Sequence, residues 1–292
     1  MRSCPAEYDF VSPGSLAGVL DLLHREPGEW LPVAGGTEVM VQYSAGRLGA
    51  RRLVNLWDVA ELRRISETPE TLTIGGGCTF AQLREHASIR KHFPLLAQAA
   101  SWTGGIANQN RATIAGNIVN ASPAADSPPA LLAYEAEVEL ISARGSRRMP
   151  YADFHLGYKR TALAQGELLV AIHLQKRFAG WFSYGQKTGA RNAQAIAKVC
   201  IAGVGRLLGD RVDALHIGIG AVAPTPLRLR RTERALLGSP LTEEAVAIAR
   251  QILSSEIAPI DDIRSSAEYR RCVAANLLED LLRSFAASRL PE

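Results

Sequence analysis

One long irregular stretch, from Thr103 to Pro129, limits the folds open to this chain more than any other feature of its sequence. It is rich in Gly, Asn, Ser and Pro, so it carries few signals for a regular helix or strand. Segments typical of strands lie on both sides of it, at 71–74, 136–142 and 168–174. A loop of that length inside a compact domain is usually functional. The stretch therefore predicts a binding loop carried by a framework of strands and helices.

Composition and charge exclude several classes of protein. Of the 292 residues, 47% are hydrophobic and 21% are charged, which is typical of a globular protein with one large core or a few smaller ones. A formal charge of only +4 does not favour nucleic acid as a partner. The sequence has neither an apolar run of about 20 residues nor a secretory signal. We therefore expect no membrane span and a cytoplasmic location.

The spacing of cysteine and histidine gives no support for a metal site. The 4 cysteines form no CxxC pair, and the 6 histidines show no H-x-x-x-H pairing. A G-x-S-x-G elbow, which would present a serine nucleophile, is also missing from the sequence. We accordingly assign neither a metal ligand nor a catalytic residue to this chain.

The pattern of predicted elements divides the chain into three regions, 1–56, 57–177 and 178–292. The first reads as strand, helix, strand, which indicates a small α/β unit. The second holds the strands that flank the long loop, and the third combines a glycine-containing strand with two closing helices. Helix starts are predicted at Ser15, at Thr79 in a Thr-x-x-Gln capping box, at Thr242 and at Ser266.

The first candidate binding loop runs from Val33 to Met40, where an apolar segment gives way to paired glycines. Gly35 and Gly36 permit positive φ and remove the side chains that would keep a ligand away from the backbone. Successive exposed N–H groups in such a turn form a concave site for an anion such as a pyrophosphate. Taken alone, the glycine pair is also compatible with an ordinary turn after a strand.

The second candidate loop, Thr113 to Asn117, lies inside the long irregular stretch. Small residues, amides and hydroxyls surround it, and Asp126 follows a short distance downstream. A buried dinucleotide needs backbone donors for its phosphates and a carboxylate that accepts from sugar hydroxyls, and Asp126 could be that carboxylate. From the residues alone, an Asx turn before Pro128 is the simpler interpretation of Asp126.

Three segments together resemble one known family. They are Ala34 to Glu38, Thr113 to Asp126, and Phe182 to Val199, in this order and spacing. The chain is similar to the FAD-binding subunit of molybdenum hydroxylases, the group that includes xanthine, carbon monoxide and nicotinate dehydrogenases. The resemblance extends over essentially the whole chain, although the family commonly has Gly where this chain has Ala115.

The resemblance implies an α+β fold. It comprises a two-lobed FAD-binding part of the vanillyl-alcohol-oxidase/CO-dehydrogenase flavoprotein type, with lobes at 1–56 and 57–177, and a C-terminal α+β domain at 178–292. Backbone amides of the two loops would hold the pyrophosphate, and Asp126 would bind the sugar portion, which reverses the preference for an Asx turn. The residues implied in cofactor binding are Val33, Ala34, Gly35, Gly36, Thr37, Glu38, Val39, Ala112, Thr113, Ala115, Gly116, Asn117, Asp126, Lys187 and Ile196.

Lys187 and Ile196 match family residues that lie beside the flavin ring. A nearby cation favours the reduced flavin, because reduction places negative charge on the ring. The alternative for Lys187 is an exposed surface lysine, the usual environment of that residue type. Thr37 stands where some flavin oxidases of related fold carry a histidine attached to the cofactor, so we expect noncovalent FAD.

The implied function is electron transfer within a heteromeric enzyme. A partner large subunit would carry the molybdenum cofactor, a small subunit would carry [2Fe–2S] clusters, and NAD or oxygen would be the electron acceptor. The segment from Arg191 to Val199 most resembles the xanthine and purine type. The alternatives are a carbon monoxide, nicotinate or aldehyde dehydrogenase flavin subunit, a free-standing FAD oxidoreductase of the same fold, or a scaffold that has lost the cofactor.

Overall fold

The computed structural model describes residues 4–191 and 193–288, and its first unit is a small parallel sheet. The strands β1 (Asp9–Val11), β2 (Trp30–Val33) and β3 (Arg52–Asn55) pair in the order β1-β3-β2. Helix α1 (Leu16–Arg25) and the short α2 (Val39–Ser44) connect them. The predicted cap at Ser15 is confirmed, because its hydroxyl accepts from the Gly18 N–H. The first candidate loop is therefore the β2–α2 connection.

A five-stranded antiparallel sheet forms the second unit, with the order β4-β5-β10-β6-β7. The predicted capping box is confirmed, since the side chain of Thr79 and the side chain of Gln82 each accept from the other's backbone N–H. The predicted helix is split at His86, whose extended backbone separates α3 from α4. The strands of this part of the chain are β4 (Ile65–Glu67), β5 (Thr71–Gly75), β6 (Glu137–Ser142), β7 (Gly145–Pro150), β8 (His155–Gly157), β9 (Arg160–Thr161) and β10 (Leu168–Gln175). The helices are α3 (Phe80–Glu85), α4 (Ala87–His92), α5 (Pro94–Trp102), α6 (Ile106–Gln109), α7 (Ile114–Val119) and α8 (Pro128–Ala133).

The third unit is an antiparallel sheet packed against helices, with the strand order β11-β12-β13-β14. Its elements are β11 (Phe182–Thr188), β12 (Val199–Leu208), β13 (Arg211–Gly220), β14 (Leu227–Arg228), α9 (Arg230–Leu236), α10 (Glu243–Glu256) and α11 (Ala267–Ala287). The caps predicted at Thr242 and Ser266 are confirmed by hydrogen bonds from the N–H groups of Ala245 and Tyr269.

Helix α8 joins the second and third units. All its residues are buried, and it packs across β12 and β13 as well as against α5. The approach is close: a Cβ at Gly218 would lie 2.2 Å from the Pro129 carbonyl oxygen, so only glycine fits there. Because α8 follows directly after Asp126, this packing fixes the end of the long connection against the third unit.

The prediction of one irregular loop from Thr103 to Pro129 is wrong in part. Two short helices, α6 and α7, lie within it. The sequence gives little sign of them because each is only four to six residues long and both contain residues that favour turns.

Across the described residues, no helix combines the length and the apolar character that a membrane crossing requires.

Candidate cofactor site

The first loop, Val33 to Met40, presents backbone donors without acceptors at residues 34–39. Gly36 has φ of +76°, the left-handed region that favours glycine, and this conformation turns the chain from β2 into α2. Among the described residues, none accepts a hydrogen bond from the backbone N–H groups of residues 34–39. A run of free N–H groups of this kind can bind an anion.

Gly35 brings this loop into direct contact with the start of the second one. A Cβ at Gly35 would lie 1.8 Å from the carbonyl oxygen of Arg111 and 3.1 Å from the backbone nitrogen of Ala112. The Arg111 side chain also donates from Nε to the Gly35 carbonyl, at 3.4 Å. The two predicted loops therefore touch, and only glycine at position 35 allows it.

The second segment is a capped helix and not the glycine-rich loop that the sequence predicts. The Thr113 hydroxyl accepts from the Gly116 N–H at 3.2 Å, which satisfies a donor at the start of α7. The backbone N–H groups of 112 and of 114–117 all donate to protein acceptors, at 2.6–3.2 Å. Only the Thr113 N–H of this segment has no acceptor among the residues that the structure describes. The backbone donors open to a ligand therefore come mainly from the first loop.

A glycine run in the second unit supports this segment from behind. Gly76 accepts from the Ala115 N–H at 3.0 Å, and Cys78 accepts from the Ile114 N–H at 3.0 Å. A Cβ at Gly76 would lie 2.6 Å from the Leu169 carbonyl oxygen and 2.9 Å from Ala115 Cβ. Gly76 is a supporting residue that the sequence reasoning missed, although the triple glycine at 75–77 was a visible signal.

Asp126 and Lys187 meet inside the protein as an ion pair. Lys187 Nζ lies 2.7 Å from Asp126 Oδ2, and each side chain is only 9% exposed. Lys187 Nζ also donates to the Trp102 carbonyl, at 3.0 Å. An Asx turn at Asp126 is thus the wrong interpretation, because its carboxylate binds Lys187. A surface position for Lys187 is wrong for the same reason.

The second carboxylate oxygen of Asp126 has no partner. Oδ1 is buried and accepts no hydrogen bond from the described residues. Burial raises the pKa of Asp126 to about 6, although Lys187 favours the charged form. A buried acceptor without a donor is rare in proteins and suggests that a ligand supplies the missing hydrogen bond.

Side-chain contacts join Asp126 to the second segment. Ser127 Oγ donates to Asn117 Oδ1 at 2.8 Å, so the amide oxygen of Asn117 positions the chain next to Asp126. Behind the pair, Cys200 is fully buried, and burial raises the pKa of its thiol well above the ordinary value. Cys200 therefore acts as a packed structural thiol at this place.

Ile196 lies in the β11–β12 connection, and 51% of its surface is open. The same connection reaches the long stretch, since a Cβ at Gly105 would lie 2.5 Å from Gln194 Nε2. Position 192, part of the segment that carries the family resemblance, lies outside the described residues.

The structure offers no metal site in residues 4–191 and 193–288. Nowhere in these ranges do three or more His, Cys, Asp or Glu side chains come close enough to hold a metal ion.

Comparison with known proteins decides the family. Residues 6–175 match the model described as the FAD binding domain in molybdopterin dehydrogenase, and residues 186–285 match the CO dehydrogenase flavoprotein C-terminal domain. The chain belongs to the FAD-binding subunits of the molybdenum hydroxylase family. That membership confirms the expected family and the FAD-binding character of the chain.

Two relatives of this FAD-binding subunit are similar to it in sequence over nearly its full length. It is 33% identical over 270 residues to the xanthine dehydrogenase FAD-binding subunit of Escherichia coli O157:H7, covering 90% of this chain and 91% of that one. It is 28% identical over 280 residues to the carbon monoxide dehydrogenase medium chain of Hydrogenophaga pseudoflava, covering 96% and 97%.

Solved structures confirm the predicted fold class. A carbon monoxide dehydrogenase from Hydrogenophaga pseudoflava, lacking the Mo-pyranopterin moiety of its cofactor, matches with a TM-score of 0.92 and 29% identity. The match covers 97% of this chain and 99% of the other. This FAD-binding subunit therefore has the α+β fold, with an FAD-binding part and a C-terminal domain.

Proposed function

We propose that this chain holds one noncovalent FAD and is the electron-exit subunit of a heteromeric molybdenum hydroxylase. One observation carries the proposal: the free N–H groups of residues 34–39 and the unpartnered Oδ1 of Asp126 belong to one connected set of contacts. Gly35 touches Arg111, the second segment follows directly, and Ser127, the residue after Asp126, donates a hydrogen bond to Asn117. A dinucleotide carries both chemistries, anionic phosphates at one place and sugar hydroxyls at another.

The residues present fit FAD. The N–H groups of the first loop and of Thr113 would hold the pyrophosphate, as donors that the protein leaves free. Asp126 Oδ1 would accept from a hydroxyl of the sugar portion, which gives this buried oxygen the donor that it lacks. Lys187 and Ile196 would lie beside the ring, as their counterparts do in the family.

Bound FAD would supply redox chemistry, taking electrons from [2Fe–2S] clusters on a small partner subunit and passing them to NAD or oxygen. The chain's own contribution is electrostatic. Lys187 would be the cation beside the flavin ring, and its hydrogen bonds to Asp126 and to Trp102 hold its ammonium in place. The net charge of the Lys187–Asp126 pair depends on whether Asp126 is ionised. The pair would therefore adjust the reduction potential of the flavin. It is not proposed to react with substrate.

The partners follow from the relatives. The H. pseudoflava relative is named a medium chain of its dehydrogenase and the E. coli relative an FAD-binding subunit, so we assign this chain the same place beside a molybdenum-cofactor large subunit and an iron–sulfur small subunit. The 33% identity to the xanthine dehydrogenase subunit supports a xanthine or purine type over the carbon monoxide type at 28%. We propose a cytoplasmic location, in agreement with four cysteines that are all free.

Expression of the tagged chain in its natural host would test this assignment. We expect purification to recover two further subunits together with molybdenum, iron and flavin in constant ratio. The matched control is the tagged Gly35→Ala variant. It should lose the flavin but still purify together with the two partner subunits. A flavin-loaded chain that purifies alone and oxidises a substrate unaided would instead establish a free-standing FAD oxidoreductase.

A further inference from the structure

The Arg111 side chain is held at the contact between the two loops. Its guanidinium carbon lies 3.8 Å from the centre of the Trp57 ring, a stacked cation–π geometry. Its Nε donates to the Gly35 carbonyl at 3.4 Å, and its own carbonyl faces the bare Cα of Gly35. Arg111 therefore contacts the first loop through both its backbone and its side chain, and Trp57 fixes the orientation of its charge.

A second guanidinium uses the same indole. Arg63 Cζ lies 4.3 Å from the Trp57 ring centre, and Arg63 also reaches the Trp57 carbonyl. In the described part of the chain, no carboxylate oxygen lies within 4.0 Å of the guanidinium nitrogens of Arg63 or Arg111. The guanidinium groups of Arg63 and Arg111 thus share the Trp57 ring without an ion-paired carboxylate among the described residues. They lie beside the first loop, whose backbone N–H groups are also without acceptors there.

Arg52, on β3 of the first unit, shows the usual arrangement. Arg52 Cζ lies 4.1 Å from the centre of the Trp30 ring, so the stacking geometry is much the same. Unlike Arg111, however, Arg52 forms ion pairs with Glu26 and with Asp9. The absence of a counter-ion is therefore a property of the Trp57 cluster and does not follow from the stacking of an arginine on tryptophan.

We infer that Arg111, oriented by Trp57 and the Gly35 carbonyl, supplies positive charge to the diphosphate group of the FAD held by the first loop. The inference rests on the proposed function, because it names a further binding residue of that same site. Gathering like charges is unfavourable, and an anion placed among them removes the cost. The N–H groups of 34–39 would fix the position of the diphosphate, and Arg111 would add long-range attraction that the neutral amides lack.

A purely mechanical role makes a different prediction. If Arg111 served only to join the two loops, its removal would weaken FAD binding equally at every salt concentration. An electrostatic contribution is screened by salt, since the Debye length falls from about 30 Å at 0.01 M to about 3 Å at 1 M. The dependence of FAD affinity on ionic strength therefore separates the two roles.

The test is titration of the flavin-free full chain with FAD, followed by flavin fluorescence, between about 0.02 and 0.5 M salt. At low salt, Arg111→Gln should weaken binding by roughly tenfold, and the gap to wild type should shrink as salt is added. Arg111→Lys keeps the charge and should stay within about threefold of wild type. Arg52→Gln, which removes the matched but ion-paired guanidinium, should bind FAD as wild type does.

Three outcomes would overturn the inference. They are an unchanged FAD affinity in Arg111→Gln, a loss that is the same at all salt concentrations, and a loss in Arg111→Lys equal to that in Arg111→Gln. A circular dichroism spectrum checks that each variant is folded, and Arg63→Gln, expected to show a smaller but also salt-dependent loss, provides a second test of the charge. Failure of the wild-type chain itself to bind FAD would instead refute the proposed function.

Discussion

Asp126 Oδ2 and Lys187 Nζ lie 2.7 Å apart in a buried ion pair, although 61 residues separate them along the chain. Asp126 ends the long connection of the second unit, and Lys187 lies on β11, the first strand of the third unit. The pair therefore joins the two parts of the protein at the candidate site. It also leaves one buried carboxylate oxygen free for a ligand.

Because of Asp126, the unfolding free energy of the flavin-free chain should decrease as pH rises. Burial raises the pKa of its carboxyl from 3.8 to about 6. The folded chain then binds this proton more tightly than the unfolded chain does. The resulting stability is fully present below about pH 4 and is lost as pH rises through about 6, by an amount on the order of 3 kcal/mol.

Asp126→Asn removes this titration and provides the measurement. The unfolding free energy of the variant minus that of wild type should increase between about pH 4 and pH 7, as chemical denaturation at several pH values would show. A difference that is constant or that decreases would mean that Asp126 ionises in the folded chain at least as readily as in water.

The Lys187–Asp126 pair should shift the flavin potential in opposite directions when its two members are changed. Lys187→Ala removes the cation and should lower the midpoint potential by roughly 30 mV or more, the equivalent of about 1.4 kcal/mol for a two-electron couple. Asp126→Asn leaves the cation without its counter-charge and should raise the potential. Redox titration of the flavin-loaded chain measures both shifts.

A suitable control for charge is Lys91→Ala, since Lys91 is an exposed lysine on α4. Its removal changes the net charge by the same amount and should leave the potential unchanged. Equal shifts in Lys91→Ala and Lys187→Ala would show that Lys187 acts through overall charge alone.

The two glycines of the first loop should fail on substitution for different reasons. Gly36→Val forces a β-branched residue to a φ of +76°, whereas Gly36→Asn tolerates that region better, so the asparagine variant should retain more FAD. Gly35→Ala places a Cβ against the Arg111 carbonyl and should separate the loops.

Flavin content after gel filtration, measured by the visible spectrum, compares these variants. Gly49→Ala is the control, because nothing lies within 4 Å of a Cβ at Gly49 and its φ is ordinary. Full retention of FAD by Gly35→Ala would show that the close contact with Arg111 is dispensable for the site.

Local signals in the sequence predicted local structure well. The capping box at Thr79 and Gln82, and the caps at Ser15 and Thr242, depend on residues only three positions apart. The helix α7 was missed because its stability comes from outside it, through N–H groups that donate to Gly76 and Cys78 of another segment. Short helices of this kind leave little pattern of their own.

Contacts between distant residues were beyond the reach of local patterns. Sequence alone favoured a turn at Asp126 and a surface position for Lys187, because neither residue signals that the other lies beside it. The family resemblance assigned both residues to the cofactor site but did not predict that they pair with each other. The Trp57–Arg111 stack was missed for the same reason, since the two residues are 54 positions apart in the sequence.

The visible absorption spectrum of the purified, folded chain, with its flavin quantified after acid precipitation, tests most directly whether this protein binds noncovalent FAD. We expect a flavin spectrum with one FAD per chain, released intact into the supernatant because no covalent bond holds it. A folded chain without a flavin band, or with flavin that stays in the precipitate, would contradict it.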